Sequence, residues 1–455
     1  MLPRMIVQED ELIRTLEDLV EYYRKVNWEK ALYVGIEWER SGVYREGFGA
    51  VRYPGENGYN AVLHKLVEEV GWHIVQSDHN ELYELQRGET HVTLEGDGRL
   101  ELAGSPQESL HDLARELRLH NHEVVEMGNI FGIGWLPMGV QPLHTDSEIE
   151  LLGKDRYSIL QEIGDPALMA TMTKRTNGLT ANLSFTDEQN AIQKAQTAFR
   201  ILPIIGAIYA SSPFDGGELA PYLDLRRHVI QNHAPARTGI PPTILDEDFS
   251  LSAWLSHYVD IPVVLMEQEG REVRVDGSFT FRTWMEEGRA GRYPTAKDFD
   301  RHVKTTWSDI RLRPSYLEYR VADSVPFKYV MSLPALMKGL LFDSGNWQQV
   351  RALTDGWTYE QVIDLDRRAW KEGLRTEING KPLLLYAQEL VMLANEKLHS
   401  FGRLDSTETD ESVYLHALKE QVYIKERSFA EELRELWQYD WKQDTTRVLE
   451  WCEAE

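Results

Sequence analysis

Two glutamates alternate with bulky apolar residues in the segment Tyr33–Glu39, which runs Tyr-Val-Gly-Ile-Glu-Trp-Glu. Successive side chains of a β-strand point to opposite faces, so Glu37 and Glu39 share one face and Gly35 leaves room beside them. Two like charges side by side on a strand are unfavourable unless water solvates them or a cation bridges them. The segment therefore predicts a strand whose acidic face is either a solvated outer surface or a cation site.

A second acidic segment, His91–Gly104, has the pattern of a β-hairpin around Gly96–Gly98. A two-residue Asp-Gly loop would place Glu95 and Glu101 on different faces, whereas a three-residue Gly-Asp-Gly loop would place them together. We expect the three-residue loop, which would add two more carboxylates to a shared acidic face. An edge hairpin with exposed acids is the alternative.

A third segment, Arg311–Asp323, contains a predicted strand over Tyr316–Val321 in which Glu318 and Arg320 share a face. A carboxylate that holds a metal beside a guanidinium that holds phosphate oxygens is what phosphoryl transfer requires. A structural salt-bridge ladder is the alternative for this segment taken alone.

Helical and strand periodicities alternate along the 455 residues, of which 42% are hydrophobic. We predict helices over 9–26, 107–127, 187–207, 384–399 and 412–441. The strand of the first acidic segment extends over 31–39, and a further strand is predicted over 179–185. Strands followed by long helices without regular βαβ alternation favour an α+β fold, in which helices cover an antiparallel sheet. We expect a single catalytic domain over 1–455, mostly helical after about residue 330.

The formal charge of −25 argues against nucleic acid as a partner, because a broadly negative surface repels polyanions. ATP could still bind if divalent cations were held at the site. The sequence contains neither a complete P-loop motif nor a complete dinucleotide fingerprint. Nucleotide chemistry would therefore have to use the acidic segments.

An apolar run of about 20 residues, as needed to span a bilayer, is absent from the sequence, so we expect no membrane partner and a cytoplasmic protein. The single cysteine, Cys452, cannot form an internal disulfide or a multi-cysteine metal site. We interpret it as an incidental thiol, and we expect activity that is indifferent to reductant.

Taken together, these segments resemble the glutamate–cysteine ligase family of plants and many proteobacteria, whose catalytic fold is akin to that of glutamine synthetase. The resemblance is collinear over nearly the whole chain. Beyond the three acidic segments it includes Met138–Pro142, Arg156-Tyr157, Met172–Thr176, Asn182, Ser211–Phe214, Arg237–Gly239 and Phe279–Arg282. It implies a six-stranded antiparallel sheet curved into a bowl, with ATP and magnesium at one end and glutamate and cysteine at the other.

The resemblance also implies roles for individual residues. The candidate magnesium ligands are Glu37, Glu39, Glu95, Glu101 and Glu318, for two or three Mg²⁺ ions with Mn²⁺ as an alternative. The candidate phosphate contacts are Arg313 and Arg320. The candidate substrate contacts are Arg175 and Arg237 for carboxylates, Thr176 and Asn182 for neutral hydrogen bonds, and the pair Arg156 and Tyr157.

Four positions depart from the family pattern, namely Thr180, Ser184, Ile230 and Asn232. We expect them to alter the acceptor pocket and weaken the preference for cysteine. Three hypotheses stay open: a glutamate–cysteine ligase acting through γ-glutamyl phosphate, a γ-glutamyl ligase for another amine, and a non-catalytic paralogue. The expected partners are glutamate, cysteine or another amine, and ATP, with the chain a monomer or a homodimer.

Overall fold

The computed structural model describes residues 10–25, 31–289 and 291–454. The strands are β1 (Val34–Tyr44), β2 (His73–Asp78), β3 (Glu81–Arg87), β4 (Thr90–Leu94), β5 (Leu100–Ala103), β6 (Ile133–Leu136), β7 (Gly178–Ser184), β8 (Phe214–Asp215), β9 (Glu218–Leu219), β10 (Leu265–Gln268), β11 (Arg271–Arg274), β12 (Ile310–Leu312), β13 (Tyr316–Asp323), β14 (Glu377–Ile378) and β15 (Lys381–Pro382).

The α-helices are α1 (Leu16–Lys25), α2 (Tyr59–Lys65), α3 (Leu110–Phe131), α4 (Asp155–Leu160), α5 (Pro166–Arg175), α6 (Glu188–Tyr209), α7 (Leu225–His233), α8 (Leu251–Val259), α9 (Phe281–Glu287), α10 (Ala296–Val303), α11 (Phe327–Val330), α12 (Ser332–Leu341), α13 (Ser344–Leu353), α14 (Tyr359–Glu372), α15 (Leu383–Phe401), α16 (His416–Lys419), α17 (Phe429–Glu435) and α18 (Val448–Glu453). Among the described residues, none of these helices is both long and apolar enough to cross a membrane.

The main sheet is antiparallel and open, with the strand order β12-β13-β7-β1-β5-β4-β3-β2. The first part of β1 pairs with β5 and β7, while its last part, Ser41–Tyr44, pairs with β6. Within the described part of the chain the sheet thus has nine strands rather than the six that we expected. One of the three additional strands, β6, can join because β1 is 11 residues long and pairs with three partners.

One face of this sheet packs against helices. Val34, Ile36 and Trp38 of β1 are buried in the main hydrophobic core, as are the alternate residues of β7 and β13. Helix α6 packs on β13, and α12 packs on β7. Because strand side chains alternate, Glu37 and Glu39 lie on the opposite face, away from these helices.

The element boundaries differ from the predictions where local capping decides them. The predicted helix 9–26 is observed as α1, and residues 9 and 26 lie outside the described residues. The predicted helix 412–441 is wrong as a continuous element, because Glu426 has a left-handed backbone with φ of 53° and ends a helical segment there. The chain after residue 330 is mostly helical, as predicted.

The thiol of Cys452 lies in α18 and is buried against the main core. Burial raises the pKa of this thiol well above its ordinary value. A thiol reacts as the thiolate, so Cys452 is a poorly reactive core residue in this fold.

A buried ion pair ties the C-terminal helices to the start of α3. The ammonium of Lys338 on α12 donates to Glu411 Oε2 at 2.6 Å and to the Glu108 carbonyl at 2.8 Å. The other oxygen of Glu411 accepts from the backbone N–H of Leu110 at 2.7 Å. Both side chains of the pair are almost fully buried, at 3% and 0% exposure, so neither charge has water as a substitute partner.

We expect Glu411→Ala to lower the free energy of unfolding by about 3–5 kcal/mol, because it leaves the Lys338 ammonium buried without its partner. Urea unfolding followed by tryptophan fluorescence measures the change. The control is Glu396→Ala on the exposed side of α15, which should stay within about 0.5 kcal/mol of the parent. Equal stabilities of the two variants would contradict the prediction.

Candidate active site

The β4–β5 hairpin brings two glutamates beside the acidic face of β1. The backbone N–H of Glu95 donates to the Arg99 carbonyl at 3.0 Å, which closes a three-residue loop over Gly96–Gly98. Gly98 adopts a φ of +93°, and a side chain at Gly96 would lie 2.4 Å from the Thr173 carbonyl oxygen. The loop therefore requires these glycines, and the predicted three-residue loop is confirmed.

Three carboxylates converge as a result. Glu39 lies directly opposite Glu101 in the β1–β5 register. Ligand oxygens of Glu39, Glu95 and Glu101 all lie within 4.8 Å of one another. Burial and the neighbouring Glu95 carboxylate raise the pKa of Glu39 to about 7. Burial, followed by Glu95, Glu37 and Glu39, raises the pKa of Glu101 well above its ordinary value.

Such a cluster is favourable for a hard divalent cation, because oxygen ligands alone surround the space between the three side chains. The raised pKa values of Glu39 and Glu101 reflect repulsion among the carboxylates. A cation bound between the three side chains would replace this repulsion by attraction. Among the described residues this is the one group of three or more acids, histidines or cysteines with such spacing. The donor set fits Mg²⁺ or Mn²⁺.

Buried guanidinium groups lie beside the cluster, namely those of Arg99 and Arg226. Arg99 is almost fully buried and donates to Asp97 at 2.6 Å and to the Thr173 carbonyl at 3.0 Å. Its Nη2 atom lies 3.8 Å from Glu95 and 4.0 Å from Glu39. Arg99 was not among the predicted site residues, although its place next to the glycine loop could have indicated it.

Arginines gather around Glu318 on the neighbouring strands. The carboxylate of Glu318 lies 2.8 Å from Arg311, 3.3 Å from Arg320 and 3.5 Å from Arg313. Burial raises the pKa of Glu318, but the three guanidinium groups outweigh burial and lower it overall. Arg320 also lies 3.7 Å from Glu37, which joins the arginine group to the acidic face of β1.

The two groups line one cavity of about 780 Å³. All five predicted metal ligands line it, together with Arg156, Tyr157, Arg313 and Arg320. Further lining residues that the sequence analysis did not assign include Glu84, His91, Lys304, Trp307, Arg311 and Tyr316. Strand periodicity could have indicated Arg311, two residues before Arg313, and His91, four residues before Glu95. The loop residues Lys304 and Trp307 carry no periodic signal.

Asn182 lies beside the cavity and contacts a predicted metal ligand. Its Nδ2 atom donates to Glu37 Oε1 at 3.0 Å. In the sheet, Asn182 of β7 is opposite both Gly35 and Glu318. The amide therefore holds the Glu37 carboxylate on the side next to Glu318.

Arg175 and Thr176 do not line the cavity, and their contact with substrate stays a prediction. The guanidinium of Arg175 donates to Asp146 at 2.6 Å, to Asp215 at 2.7 Å and to the His144 carbonyl at 2.8 Å. The hydroxyl of Thr176 donates to the Met172 carbonyl at 2.6 Å. Both side chains are engaged in holding the end of α5.

Arg237 is also directed away from the cavity. Its guanidinium donates to the Pro262 carbonyl at 2.5 Å and to the Thr305 carbonyl and hydroxyl at 2.8 and 2.5 Å. Burial lowers the pKa of Arg237 to about 10. Its own carbonyl accepts from the backbone N–H of Trp307 at 2.8 Å. Arg237 thus supports the loop that carries Trp307, and its contact with substrate stays a prediction.

The four positions that depart from the family pattern also differ in their distance from the cavity. Thr180 is opposite Glu37 in the sheet, and Ser184 is opposite Tyr316, a cavity residue. Ile230 and Asn232 lie on α7 and do not line the cavity. Ile230 nevertheless packs against the same hydrophobic cluster as Tyr157 and Trp307, which line the cavity, so the expectation that these positions alter the acceptor pocket stays a prediction.

Comparison with known proteins decides the family. Residues 33–450 match the family model described as glutamate-cysteine ligase family 2. The chain belongs to this family. It is 31% identical to glutamate–cysteine ligase A, chloroplastic, of Oryza sativa subsp. indica over 401 residues, which cover 85% of this chain and 79% of the relative. It is 30% identical to the chloroplastic enzyme of Solanum lycopersicum over 449 residues, which cover 96% and 82%.

A solved structure shares the fold of this family member. The glutamate–cysteine ligase of Francisella tularensis, in complex with AMP, aligns with a TM-score of 0.54 at 12% identity over 94% of this chain and 91% of that chain. These comparisons confirm the predicted family and the predicted ligase class. They also confirm the predicted α+β fold, in which helices cover an antiparallel sheet.

The expected cytoplasmic location is contradicted. The plant relatives of this family member from Oryza, Solanum and Arabidopsis are all described as chloroplastic enzymes. The basis for the expectation was the absence of a membrane-spanning segment, and that observation does not distinguish between compartments.

We expect the affinity for a divalent cation to rise between pH 6 and pH 8. The pKa of Glu39 is raised to about 7, so its carboxyl group carries a proton at pH 6 that must leave before the carboxylate can bind metal. Titration calorimetry with Mn²⁺ in buffers of different ionisation enthalpy measures both the affinity and the protons released. Glu39→Gln should weaken binding and reduce the proton release.

The control for this titration is Glu150→Gln, an exposed residue outside the cavity, which should leave both quantities unchanged. An affinity that is equal at pH 6 and pH 8 in the parent protein would contradict the expectation.

Proposed function

We propose that this cavity forms γ-glutamylcysteine from glutamate, cysteine and ATP, through γ-glutamyl phosphate. The observation that carries the proposal is the placement of a three-carboxylate cluster and a three-arginine group on the walls of one cavity. Membership of glutamate–cysteine ligase family 2 supports the choice of substrates. The activity is assigned to one catalytic domain, because one cavity is lined by residues that run from Tyr22 to Arg320 of the chain.

The carboxylates would hold the metal on which ATP depends. Glu39, Glu95 and Glu101 are proposed as ligands for Mg²⁺, with Glu37 and Glu318 as further ligands for a second or third ion and Mn²⁺ as an alternative. When bound, magnesium offsets the negative charge of the nucleotide phosphates. It also removes the electrostatic barrier that an acidic cavity presents to ATP.

The arginines would hold the transferred phosphoryl group. Arg320 exposes 22% of its side chain, compared with 11% for Arg313 and 7% for Arg311, so Arg320 is the most accessible guanidinium of the group. A planar guanidinium binds phosphate oxygens in bidentate fashion. We assign the direct phosphate contact to Arg320 and a supporting one to Arg313.

The reaction follows from this charge arrangement. The γ-carboxylate of glutamate attacks the γ-phosphorus, and ADP leaves. The amine of cysteine then attacks the carbonyl of the acyl phosphate, phosphate leaves, and an amide remains. Holding both reactants in one cavity makes the second step effectively intramolecular and keeps water from hydrolysing the intermediate. Arg156 and Tyr157 remain candidates for substrate contacts because they line this cavity.

The decisive assay measures ADP release together with γ-glutamylcysteine by mass spectrometry. The proposal requires both products, and each must depend on glutamate, cysteine and a divalent cation. ADP without a γ-glutamyl product from cysteine would overturn the assignment of the acceptor. Absence of ADP with every amine tested would overturn the ligase assignment.

Glu318→Gln should lower kcat by about 10²–10³-fold, since it removes the negative charge that holds three guanidinium groups together where phosphate charge develops. Steady-state ADP release measures the loss. Glu247→Gln, at an exposed position outside the cavity, is the control and should retain the parent rate. A folded Glu318→Gln protein with normal turnover would remove Glu318 from the site.

The acceptor preference gives a further prediction. Thr180 and Ser184 replace larger polar residues of the family pattern close to Glu37 and Tyr316, so fewer side-chain groups are available to select the thiol. We expect measurable turnover of 2-aminobutyrate, the cysteine analogue that lacks sulfur, at a kcat/KM within about 100-fold of that for cysteine. A much larger preference for cysteine would show that other residues select it.

A further inference from the structure

An imidazole–carboxylate pair lines the cavity on the side away from the arginines. Nδ1 of His91, on β4, lies 2.7 Å from Glu84 Oε1, on β3. The side chain of His91 is 9% exposed and that of Glu84 is 23% exposed, and both line the cavity. A carboxylate accepts the Nδ1 proton, so the lone pair is on Nε2, the ring nitrogen that remains for a molecule in the cavity.

The sheet register places this pair at a defined distance from the acidic face of β1. Ala103 of β5 is opposite Glu37 on one side and opposite His91 on the other. Two strand spacings separate the backbones of Glu37 and His91 by about 10 Å. The small side chain of Ala103 lies between them, so the cavity floor is open where a substrate would lie across the strands.

The reaction proposed above needs a group that accepts a proton at this place. The amino group of an α-amino acid is an ammonium at neutral pH, and it must lose a proton before its lone pair can attack a carbonyl. The cluster Glu39, Glu95 and Glu101 would be occupied by a cation, and the arginines carry no lone pair for a proton. An imidazole accepts a proton near neutral pH and suits the task.

We propose that His91 is the general base that deprotonates the acceptor amine, and that Glu84 is a positioning residue that fixes its tautomer. This inference rests on the proposed ligase function and deepens it, since it assigns the proton transfer of the second step to a residue outside the metal and phosphate groups.

The step balances in atoms and charge. One N–H proton of the acceptor ammonium passes to Nε2 of His91, and the freed lone pair forms the C–N bond. The bond between the carbonyl carbon and the phosphate oxygen breaks, and its electron pair leaves with phosphate. A second N–H proton passes to the departing phosphate. The imidazolium then returns its proton to solvent, so the products are the amide, hydrogen phosphate and one proton.

Other charged side chains surround the His91 imidazole and set its electrostatic environment. Glu84 comes from β3, Glu101 from β5 and Glu37 from β1, all on the same face as His91. From other elements the cavity lining adds Arg156 and Lys304. The nearest charge is the Glu84 carboxylate, which stabilises the imidazolium formed after proton transfer.

The test compares two acceptors in the magnesium-loaded full chain. Cysteine reaches the site as an ammonium, whereas hydroxylamine is largely unprotonated at neutral pH and needs no base to become a nucleophile. The variant His91→Gln should lose about 10²-fold in kcat for γ-glutamylcysteine formation. It should keep hydroxamate formation within about threefold of the parent, which also shows that the variant folds and still makes the acyl phosphate.

Two further variants separate positioning from structure. Glu84→Gln should lose about tenfold with cysteine and little with hydroxylamine, because an amide can still contact the ring but does not favour the imidazolium. The control is His73→Gln. His73 on the exposed strand β2 is opposite Gln86 of β3, which in turn is opposite His91, so both histidines lie on the same face of the sheet. It should leave both reactions unchanged.

The outcomes are distinguishable. A His91→Gln protein that couples cysteine as fast as the parent overturns the inference. Parallel loss of both reactions also overturns it, because a base for the amine cannot be needed by hydroxylamine. If the parent protein forms neither product and releases no ADP, the proposed ligase function fails, and the inference fails with it.

Discussion

Repulsion among three carboxylates held within one small volume is the constraint on which the site depends. The antiparallel register sets Glu39 against Glu101, and the glycine loop of the hairpin turns Glu95 toward them. The guanidinium groups of Arg99 and Arg226 offset part of this charge. A cation bound there, as proposed, would balance the remainder and would let an acidic protein of net charge −25 hold a nucleotide.

The arginine group solves the opposite problem. Arg311, Arg313 and Arg320 would repel one another if Glu318 did not lie among them. The strands β12 and β13 hold that glutamate in a register directly opposite Arg311. Separate clusters of opposite sign, each stabilised by its own strand pair, thus face a common cavity. Phosphate groups in the cavity could therefore interact with the arginines on one side and with a cation held by the carboxylates on the other, while the two clusters stay apart.

Much of this site could be predicted from strand alternation. A period of two was enough to place Glu37 with Glu39 and Glu318 with Arg320 on shared faces. The hairpin remained ambiguous because loop length decides the register, and the Glu95–Arg99 hydrogen bond that selects it is a property of the folded chain. Six strands were expected and nine are found in the described residues. The length of β1, which allows β6 as a third partner, accounts for one of the three additional strands.

The substrate arginines could not be placed from sequence for a different reason. Of the acids that engage Arg175, Asp146 lies in a loop and Asp215 ends the two-residue strand β8, and neither has a periodic relation to Arg175. The backbone carbonyls that engage Arg237 leave no signature in any side chain. Family resemblance located these arginines in the chain but did not show which way they point.

The two groups of charged residues in the cavity lie far apart in the sequence, and this distance affects the order in which they form during synthesis. The acid cluster is complete once Glu101 has been synthesised, whereas β13 must pair with β7 across more than a hundred intervening residues. Contacts of such long range form late, and a growing polypeptide generally folds from its N-terminal end. A nascent chain on the ribosome would thus carry the acid cluster before it carries the arginines, and phosphoryl transfer would begin only after the last strands of the sheet have joined.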